Sequence, residues 1–146
     1  MSLEVTGLTE ADRPRWTELW HGYLDFYHTT LPDETYDRTW GRLLRGEGVH
    51  GLAARSERGI VGIAHYLFHA HCWTEGPACY LQDLYVDADA RGLGAGRALI
   101  EAVAAGARTH GADRMYWQTQ DHNATARLLY DRVAKHNGFI RYDYPL

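Results

Sequence analysis

Apolar and aromatic residues recur every three or four positions in two stretches near the start of the chain. The first begins at Thr9, with acidic residues and Pro14 in its opening turn, and runs to about His28. The second covers about Asp33 to Leu44 and follows a break at Pro32. This spacing is typical of amphipathic helices that bury one face, so the pattern predicts two consecutive helices.

Strand-like runs follow. VHGLAARS and IVGIAHYLFHAH flank a turn at Glu57 to Gly59 and predict an antiparallel hairpin. LEVTGL, CYLQDLYVD, DRMYWQTQ and FIRYDY predict four further strands. Helical spacing returns between CYLQDLYVD and about His110, and again from Asn123 to His136. The resulting order, βααβββαβαβ, predicts a mixed α/β or α+β fold with helices packed against one sheet.

Length and composition restrict the class of protein. The chain has 146 residues, which suits one domain over residues 1–146. It lacks an apolar run long enough to span a membrane and a signal-peptide pattern, so we expect a cytoplasmic protein without a membrane partner. The net charge of −4 argues against a nucleic-acid partner, because such proteins usually carry a basic excess.

Two cysteines, Cys72 and Cys79, raise the question of a metal site because His65, His69 and His71 lie nearby in the sequence. Their spacing matches none of the compact zinc patterns. The alternative is a hairpin with two buried thiols; a cross-strand disulfide is sterically conceivable but disfavoured in a reducing compartment. We therefore expect no metal.

Three glycines, Gly92, Gly94 and Gly96, stand at the start of the third predicted helix, within the segment RGLGAGR. The spacing is neither the GxGxxG of a dinucleotide fold nor the GK[ST] of a P-loop. Glycines at a helix N-terminus expose main-chain N–H groups, which together with Arg91 and Arg97 predict an anion site. The alternative is a strand-to-helix turn that needs glycine for its backbone angles.

The same segment resembles the RxxGxG signature of the Gcn5-related N-acetyltransferase (GNAT) family, and it follows a strand that ends in LYV, as in that family. FYHTTLPDETYDRTWGRLL and YLQDLYVDADARG resemble its histone and polyamine acetyltransferase branch. The resemblance implies a GNAT fold, with a mixed, mostly antiparallel sheet and helices on both faces, and acetyl-coenzyme A as cosubstrate. It implies coenzyme contacts at Leu84, Tyr85, Val86, Arg91, Gly92, Leu93, Gly94, Ala95, Gly96 and Arg97.

Asn123 and Tyr130 lie seven residues apart, which brings them to nearly the same helix face two turns apart. In isolation, Asn123 reads as an N-cap and Tyr130 as a core-edge residue. The NxxxxxxY pattern is similar to the second coenzyme motif of the family, which implies that Asn123 contacts the pantetheine and that Tyr130 sits by the sulfur. There a phenol can protonate the leaving thiolate as general acid.

A base is also expected, because an alkyl ammonium is not a nucleophile. Where relatives commonly show LEDFFV, this chain has Gln82 followed by Asp83. Gln82 cannot be a base, so Asp83 is the first candidate, with a relay through Tyr80 or His65 as the alternative. Strict strand alternation puts Asp83 opposite Gln82, but a bulge in this strand would change that assignment.

The acceptor side is predicted at the first two helices. Asp25, Tyr27 and Glu34 belong to a set of acidic and aromatic residues that would bind a cation through ion pairing and cation–π contact. The alternative is a solvated helix face over an aromatic core. The predicted acceptor is a small-molecule amine or a basic peptide.

The pattern as a whole predicts transfer of an acetyl group to a primary amine of a polyamine-like cation, an amino acid or a lysine of a basic peptide. Neither cysteine lies near a recognisable base, which favours direct attack over a covalent thiol route. One alternative is a catalytically silent module that binds or senses coenzyme A, and another is an unrelated nucleotide-binding protein. The aromatic segment YDYPL predicts a homodimer, because an exposed strand edge tends to pair.

Overall fold

The computed structural model describes residues 2–146; Met1, where the predicted domain begins, lies outside the described residues. The chain forms five strands and four α-helices, with 3-10 turns at Glu10–Asp12 and Ala88–Ala90. The strands are β1 (Glu4–Gly7), β2 (His50–Ser56), β3 (Gly59–His69), β4 (Ala78–Val86) and β5 (Arg114–Tyr116). The helices are α1 (Arg13–Phe26), α2 (Asp33–Arg45), α3 (Ala95–Thr109) and α4 (Ala124–Val133). This confirms the predicted order as far as α4.

The strands form one sheet in the order β1-β2-β3-β4-β5. The first four strands are antiparallel neighbours and β5 pairs with β4 in parallel, so the sheet is mixed and mostly antiparallel, as predicted. The connection from β4 through α3 to β5 is the crossover that a parallel pair requires. The predicted α+β class is therefore confirmed.

Helices cover both faces of the sheet. Trp16, Leu19 and Trp20 of α1 pack with Trp40 of α2 over one face. On the opposite face, α3 buries a stripe of Leu99, Ile100, Val103 and Ala107. Each of these three helices thus buries one apolar stripe of helical spacing, which is the main source of its stability, whereas α4 has no fully buried residue. Among the described residues no helix is long and apolar enough to cross a membrane.

The predicted last strand, FIRYDY, is wrong. Residues 134–146 form neither helix nor strand, and α4 ends at Val133 rather than at His136. No residue after Ala107 in the described chain is buried, so this segment has no sheet neighbour or core against which its alternating pattern could pair. The predicted strand DRMYWQTQ is also shorter than expected and covers Arg114–Tyr116.

Two irregularities in β4 shape the centre of the molecule. The register with β3 shifts where His65 pairs with Asp83 but Tyr66 pairs with Leu81, which makes Gln82 a bulged residue. On the other side, β5 pairs with β4 only from Ala78 to Tyr80. Beyond Tyr80 the two parallel strands separate, and among residues 2–146 the edge of β4 toward β5 has no strand partner.

Candidate active site

The glycine segment forms an open turn into α3. Gly92 and Gly94 have φ angles of +89° and +82°, a region that costs a residue with a Cβ roughly 1–2 kcal/mol. A Cβ at either position would meet no atom within 4 Å, so the backbone angle, and not crowding, requires glycine there. Gly96 has a different role: a Cβ would lie 3.3 Å from the Leu129 side chain, so its absence lets α4 approach α3.

The first turn of α3 has unsatisfied donors. The first helical bond runs from the Ala98 N–H to the Gly94 carbonyl (3.0 Å), so the N–H groups before Ala98 have no helical partner. These donors and the positive end of the helix suit a phosphate. Leu93 is exposed and Ala95 is buried under the turn. The donor set therefore fits the pyrophosphate of acetyl-coenzyme A.

The two arginines of the segment have partners of their own. Arg91 donates to the Val86 carbonyl (3.3 Å) and lies over the Tyr85 ring, with its guanidinium carbon 5.9 Å from the ring centre. Arg97 forms an exposed ion pair with Glu101 (3.0 Å). Arg91 is therefore held against the end of β4, whereas Arg97 points along α3.

Strand β4 ends with Leu84, Tyr85 and Val86, shortly before the glycine segment. They pair with Ala64, Ile63 and Gly62 of β3, and their other edge faces the gap between β4 and β5. In an antiparallel pair, alternate residues direct their main-chain groups away from the neighbour. These groups fit an amide-bearing ligand arm such as pantetheine.

The bulge at Gln82 decides which side chain enters the site. Gln82 is exposed, whereas the Asp83 side chain is 13% exposed and points toward α1. The Asp83 Oδ2 accepts hydrogen bonds from His65 Nδ1 (2.8 Å) and Trp20 Nε1 (3.2 Å). Burial raises the pKa of Asp83, but the hydrogen bond and the electrostatic attraction of the His65 ring, followed by the neighbouring Tyr23 and Trp20, outweigh it and hold the pKa below its ordinary value.

Tyrosines surround this carboxylate. Tyr23 lies beside Asp83 and its hydroxyl donates to the Gln82 carbonyl (3.4 Å). Burial, and then the negative charge of Asp83, raises the pKa of Tyr23 and of Tyr27. Burial, followed by Tyr27, raises the pKa of Tyr130 to about 12. Tyr27 thus lies close enough to influence both Asp83 and Tyr130, and all three tyrosines are protonated at neutral pH.

Tyr130 and Asn123 lie on α4, next to the gap in the sheet. The Tyr130 ring packs edge-on against Trp117, with 5.5 Å between ring centres. Asn123 occupies the N-cap position of α4, but its side chain makes no capping bond and donates to the Thr119 hydroxyl (3.2 Å). The position of the expected cap is therefore confirmed, and its expected hydrogen bond is not formed.

The structure brings together some of the predicted site residues and not others. Asp83 lies within electrostatic range of Tyr27, and Tyr27 lies within electrostatic range of Tyr130. Asp25 and Glu34 are exposed on α1 and at the start of α2. The described residues contain no group of three or more metal-ligating side chains. Both cysteines are unbonded; the expectation of two buried thiols holds for Cys79 but is wrong for Cys72, which is exposed.

Sequence reasoning missed the role of two tryptophans. Helical spacing alone places Trp16 and Trp20 on the buried apolar face of the first predicted helix, yet each donates its indole N–H to a polar partner, His65 and Asp83 respectively. The available signal was the spacing of Trp16, Trp20, Tyr23 and Tyr27, which places all four along one face of α1.

Comparisons with known proteins agree with this geometry. The chain belongs to the acetyltransferase (GNAT) family, whose sequence model matches residues 16–135. It is 37% identical over 133 residues to the D-amino-acid N-acetyltransferase HPA3 of Saccharomyces cerevisiae (strain ATCC 204508 / S288c), covering 89% of this chain and 83% of the relative. It is 30% identical over 90 residues to a thialysine N-epsilon-acetyltransferase of Caenorhabditis elegans, covering 62% and 56%.

Solved structures share the fold. A structure of AAC(6')-Iy in complex with the bisubstrate analogue CoA-S-monomethyl-acetylneamine superposes with a TM-score of 0.87 at 14% identity, covering 100% of this chain and 99% of that one. Identity this low supports the fold alone. With the family and the curated relatives, the chain is an N-acetyltransferase that uses acetyl-coenzyme A as cosubstrate.

Proposed function

We propose that this chain transfers the acetyl group of acetyl-coenzyme A directly to the primary amine of a small cationic acceptor, as in the polyamine acetyltransferase branch. The acceptor would be a polyamine-like cation, an amino acid or a lysine of a basic peptide. The observation that carries this proposal is the Asp83 carboxylate, which is 13% exposed and lies within electrostatic range of Tyr23 and Tyr27, with Tyr27 in turn within range of Tyr130. A buried anion beside hydroxyl groups suits an ammonium.

The coenzyme contacts follow from the donors already described. We assign the pyrophosphate to the main chain of residues 92–96, with Arg91 and Arg97 at the margins. Leu84, Tyr85, Val86 and Asn123 would hold the pantetheine arm along the open edge of β4. When bound there, acetyl-coenzyme A supplies an activated acetyl group with a thiolate as leaving group.

Asp83 acts on the acceptor nitrogen. Full proton transfer from an ammonium to a carboxylate costs about 8 kcal/mol at their ordinary pKa values of about 10 and about 4. The lowered pKa of Asp83 adds to this cost. We therefore assign Asp83 primarily to binding and orienting the amine, and the proton that leaves the ammonium passes on to solvent water.

Tyr130 acts on the sulfur. As the amine lone pair forms the C–N bond and the C–S bond breaks, the Tyr130 hydroxyl donates to the sulfur that carries the departing electron pair. The second proton of the nitrogen returns to the tyrosine oxygen, which restores the enzyme. The raised pKa of Tyr130, about 12, keeps this donor protonated throughout the physiological range.

The choice among acceptors rests on the relatives and on exposed acidic groups. One curated relative is named for D-amino acids and another for thialysine, which keeps amino acids among the candidates. Tyr27 lies at the site, and we assign Asp25 and Glu34 to the outer approach path, where they attract a cation over a longer range. The comparisons favour this enzyme over a silent coenzyme-binding module.

An acceptor panel tests the function. The measurement is thiol release from acetyl-coenzyme A with spermidine, D- and L-amino acids, lysine and a lysine-containing peptide. We expect release that depends on one of these amines. A chain that coenzyme A stabilises against heat but that releases no thiol with any amine would instead be the silent binding module.

We also propose a homodimer in which residues 139–146 form part of the contact between the two copies. The apolar side chains of this segment are exposed by 75% or more: Phe139, Ile140, Tyr142, Tyr144 and Leu146. Such a patch marks an association surface. We expect light scattering to give a dimer mass, and the double variant Tyr142→Asp, Tyr144→Asp to give a monomer. A wild-type monomer would overturn the proposal. A single domain over 1–146 and a cytoplasmic location remain predictions.

A further inference from the structure

A chain of three buried side chains lies beneath the carboxylate of the site. Trp16 Nε1 is 2.9 Å from His65 Nε2, and His65 Nδ1 is 2.8 Å from Asp83 Oδ2. Trp16 is fully buried, and the side chains of His65 and Asp83 are 5% and 13% exposed. Water therefore has little access to this hydrogen-bonded series of three side chains.

The Trp16 indole N–H determines which nitrogen of His65 carries the hydrogen. An indole N–H can only donate, so His65 Nε2 must accept from Trp16 and carries no hydrogen. The hydrogen of a neutral imidazole then sits on Nδ1, where it is donated to the Asp83 carboxylate. With Nε2 occupied, His65 cannot take a proton from the acceptor, which removes the relay through His65 considered above.

The same arrangement leaves Asp83 without a positive partner inside the protein. His65 is the only basic side chain within ion-pair distance of Asp83 among the described residues, and the hydrogen bond that its Nε2 accepts from Trp16 is compatible only with an uncharged ring. Trp20, the other strong donor, is also neutral and takes the same oxygen, Oδ2. Oδ1 accepts none of these bonds and is left to a ligand, since the Tyr23 hydroxyl donates to the Gln82 carbonyl. The charge of a buried anion that has only neutral partners is not compensated until a cation binds.

We propose that His65 is a positioning residue: fixed by Trp16 as the Nδ1–H tautomer, it orients Asp83 so that the carboxylate presents its charge to the ammonium of the acceptor. The proposal rests on the proposed function for its activity readout. It assigns affinity for the protonated amine to the hydrogen-bonded series Trp16, His65 and Asp83. His65 itself contacts neither substrate nor coenzyme.

Two substitutions separate the two hydrogen bonds of His65. In His65→Asn, the amide nitrogen lies where Nδ1 was and still donates to Asp83, whereas the bond from Trp16 is lost. In His65→Gln, the longer side chain reaches the position of Nε2 and still accepts from Trp16, whereas the bond to Asp83 is lost. Each variant therefore keeps one bond, and Gln fills the buried volume better than Asn.

The two variants are expected to rank in opposite orders in activity and in melting temperature. We expect His65→Asn to keep kcat/KM for the amine within about threefold, and His65→Gln to lose about tenfold or more, as expected for loss of a hydrogen bond to a charged group. The loss should appear in the KM of the amine, with the KM of acetyl-coenzyme A unchanged. His65→Asn should nevertheless have the lower melting temperature, because it leaves a cavity. If activity instead follows melting temperature, His65 has only a structural role and the proposal is wrong.

A second measurement does not use turnover. Long-range ¹H–¹⁵N NMR of the wild-type chain, with the His65 signals assigned by their loss in His65→Asn, reports which nitrogen carries the hydrogen. We expect Nδ1 protonated and Nε2 bare at neutral pH. A proton on Nε2 would overturn the proposal even if the chain acetylates amines. If no amine is acetylated, the tautomer still stands or falls by this spectrum, so failure of the function and failure of the inference are distinguishable.

Discussion

Strand β4 separates two regions that differ in whether their polar groups have hydrogen-bond partners within the protein. Toward α1, the Asp83 carboxylate is buried and held by His65 and Trp20, and His65 is held in turn by Trp16. Toward α3, the glycine turn leaves main-chain donors with no helical partner. The first region offers a preorganised charge and the second offers bare donors. Under the proposed function, side chains form the acceptor site and the backbone forms the coenzyme site.

The largest expected effect is on the acceptor side. Asp83→Asn removes the buried charge, and we expect kcat/KM for the amine to fall about 100-fold or more, as for loss of one member of a buried charge pair. Steady-state kinetics with the amine varied give the measurement. Asp25→Asn is the matched control, because an exposed carboxylate is screened by water and should change kcat/KM about threefold or less. Equal losses in the two variants would contradict a special role for Asp83.

Tyr130→Phe should give the next largest effect. Loss of a general acid typically costs about 100-fold, and we expect the loss in kcat, since the hydroxyl acts while the C–S bond breaks. Tyr66→Phe is the control, because Tyr66 packs in the core on the α3 side. Thiol release under saturating substrates is the readout. Unchanged turnover in Tyr130→Phe would exclude this tyrosine as the acid.

The coenzyme side is tested through its backbone. Gly94→Ala places a Cβ on a residue at φ +82°, and we expect about 1 kcal/mol of lost stability together with a KM for acetyl-coenzyme A raised about tenfold. Gly111→Ala introduces the same strain at φ +85° in the turn after α3. It should cost similar stability and leave this KM unchanged. Equal KM values for the two variants would mean that the turn does not contact the coenzyme.

The smallest effect on activity is expected from Asp12, in a satisfied polar cluster outside the site. Its pKa is lowered to about 2, chiefly by the hydrogen bond from Arg55. A carboxylate with a depressed pKa contributes stability above its unfolded pKa and loses it as the pH falls, here between about pH 4 and pH 2. Asp12→Asn should lower stability at pH 7 by about 2 kcal/mol and flatten this acid limb, with kcat/KM unchanged. Denaturant unfolding at several pH values measures it.

Most of the fold was accessible from the sequence because each helix carries a clear apolar stripe and each hairpin a turn. The glycine turn was equally readable, since its residues are contiguous. The last strand was not: FIRYDY alternates as a strand does, but the described chain offers it no neighbour, and alternation alone does not form a sheet.

The centre of the site depended on two features that local patterns do not show. The bulge at Gln82 changes which side chains of β4 face α1, and it exists only through the register with β3. The bond from Trp16 to His65 joins residues 49 positions apart, and a tryptophan at helical spacing is read as core before its N–H is considered. Asp83 and Tyr130 could be named from sequence, whereas the groups that hold Asp83 could not.

The most direct test of the account is mass spectrometry of the amine after incubation with acetyl-coenzyme A and either the wild-type chain or Asp83→Asn, each checked for thermal stabilisation by coenzyme A. The account predicts one acetyl group added to the acceptor by the wild type, little by the variant, and equal stabilisation of both by coenzyme A. An amine acetylated equally by both proteins would contradict the assignment of the acceptor site to the buried carboxylate of β4.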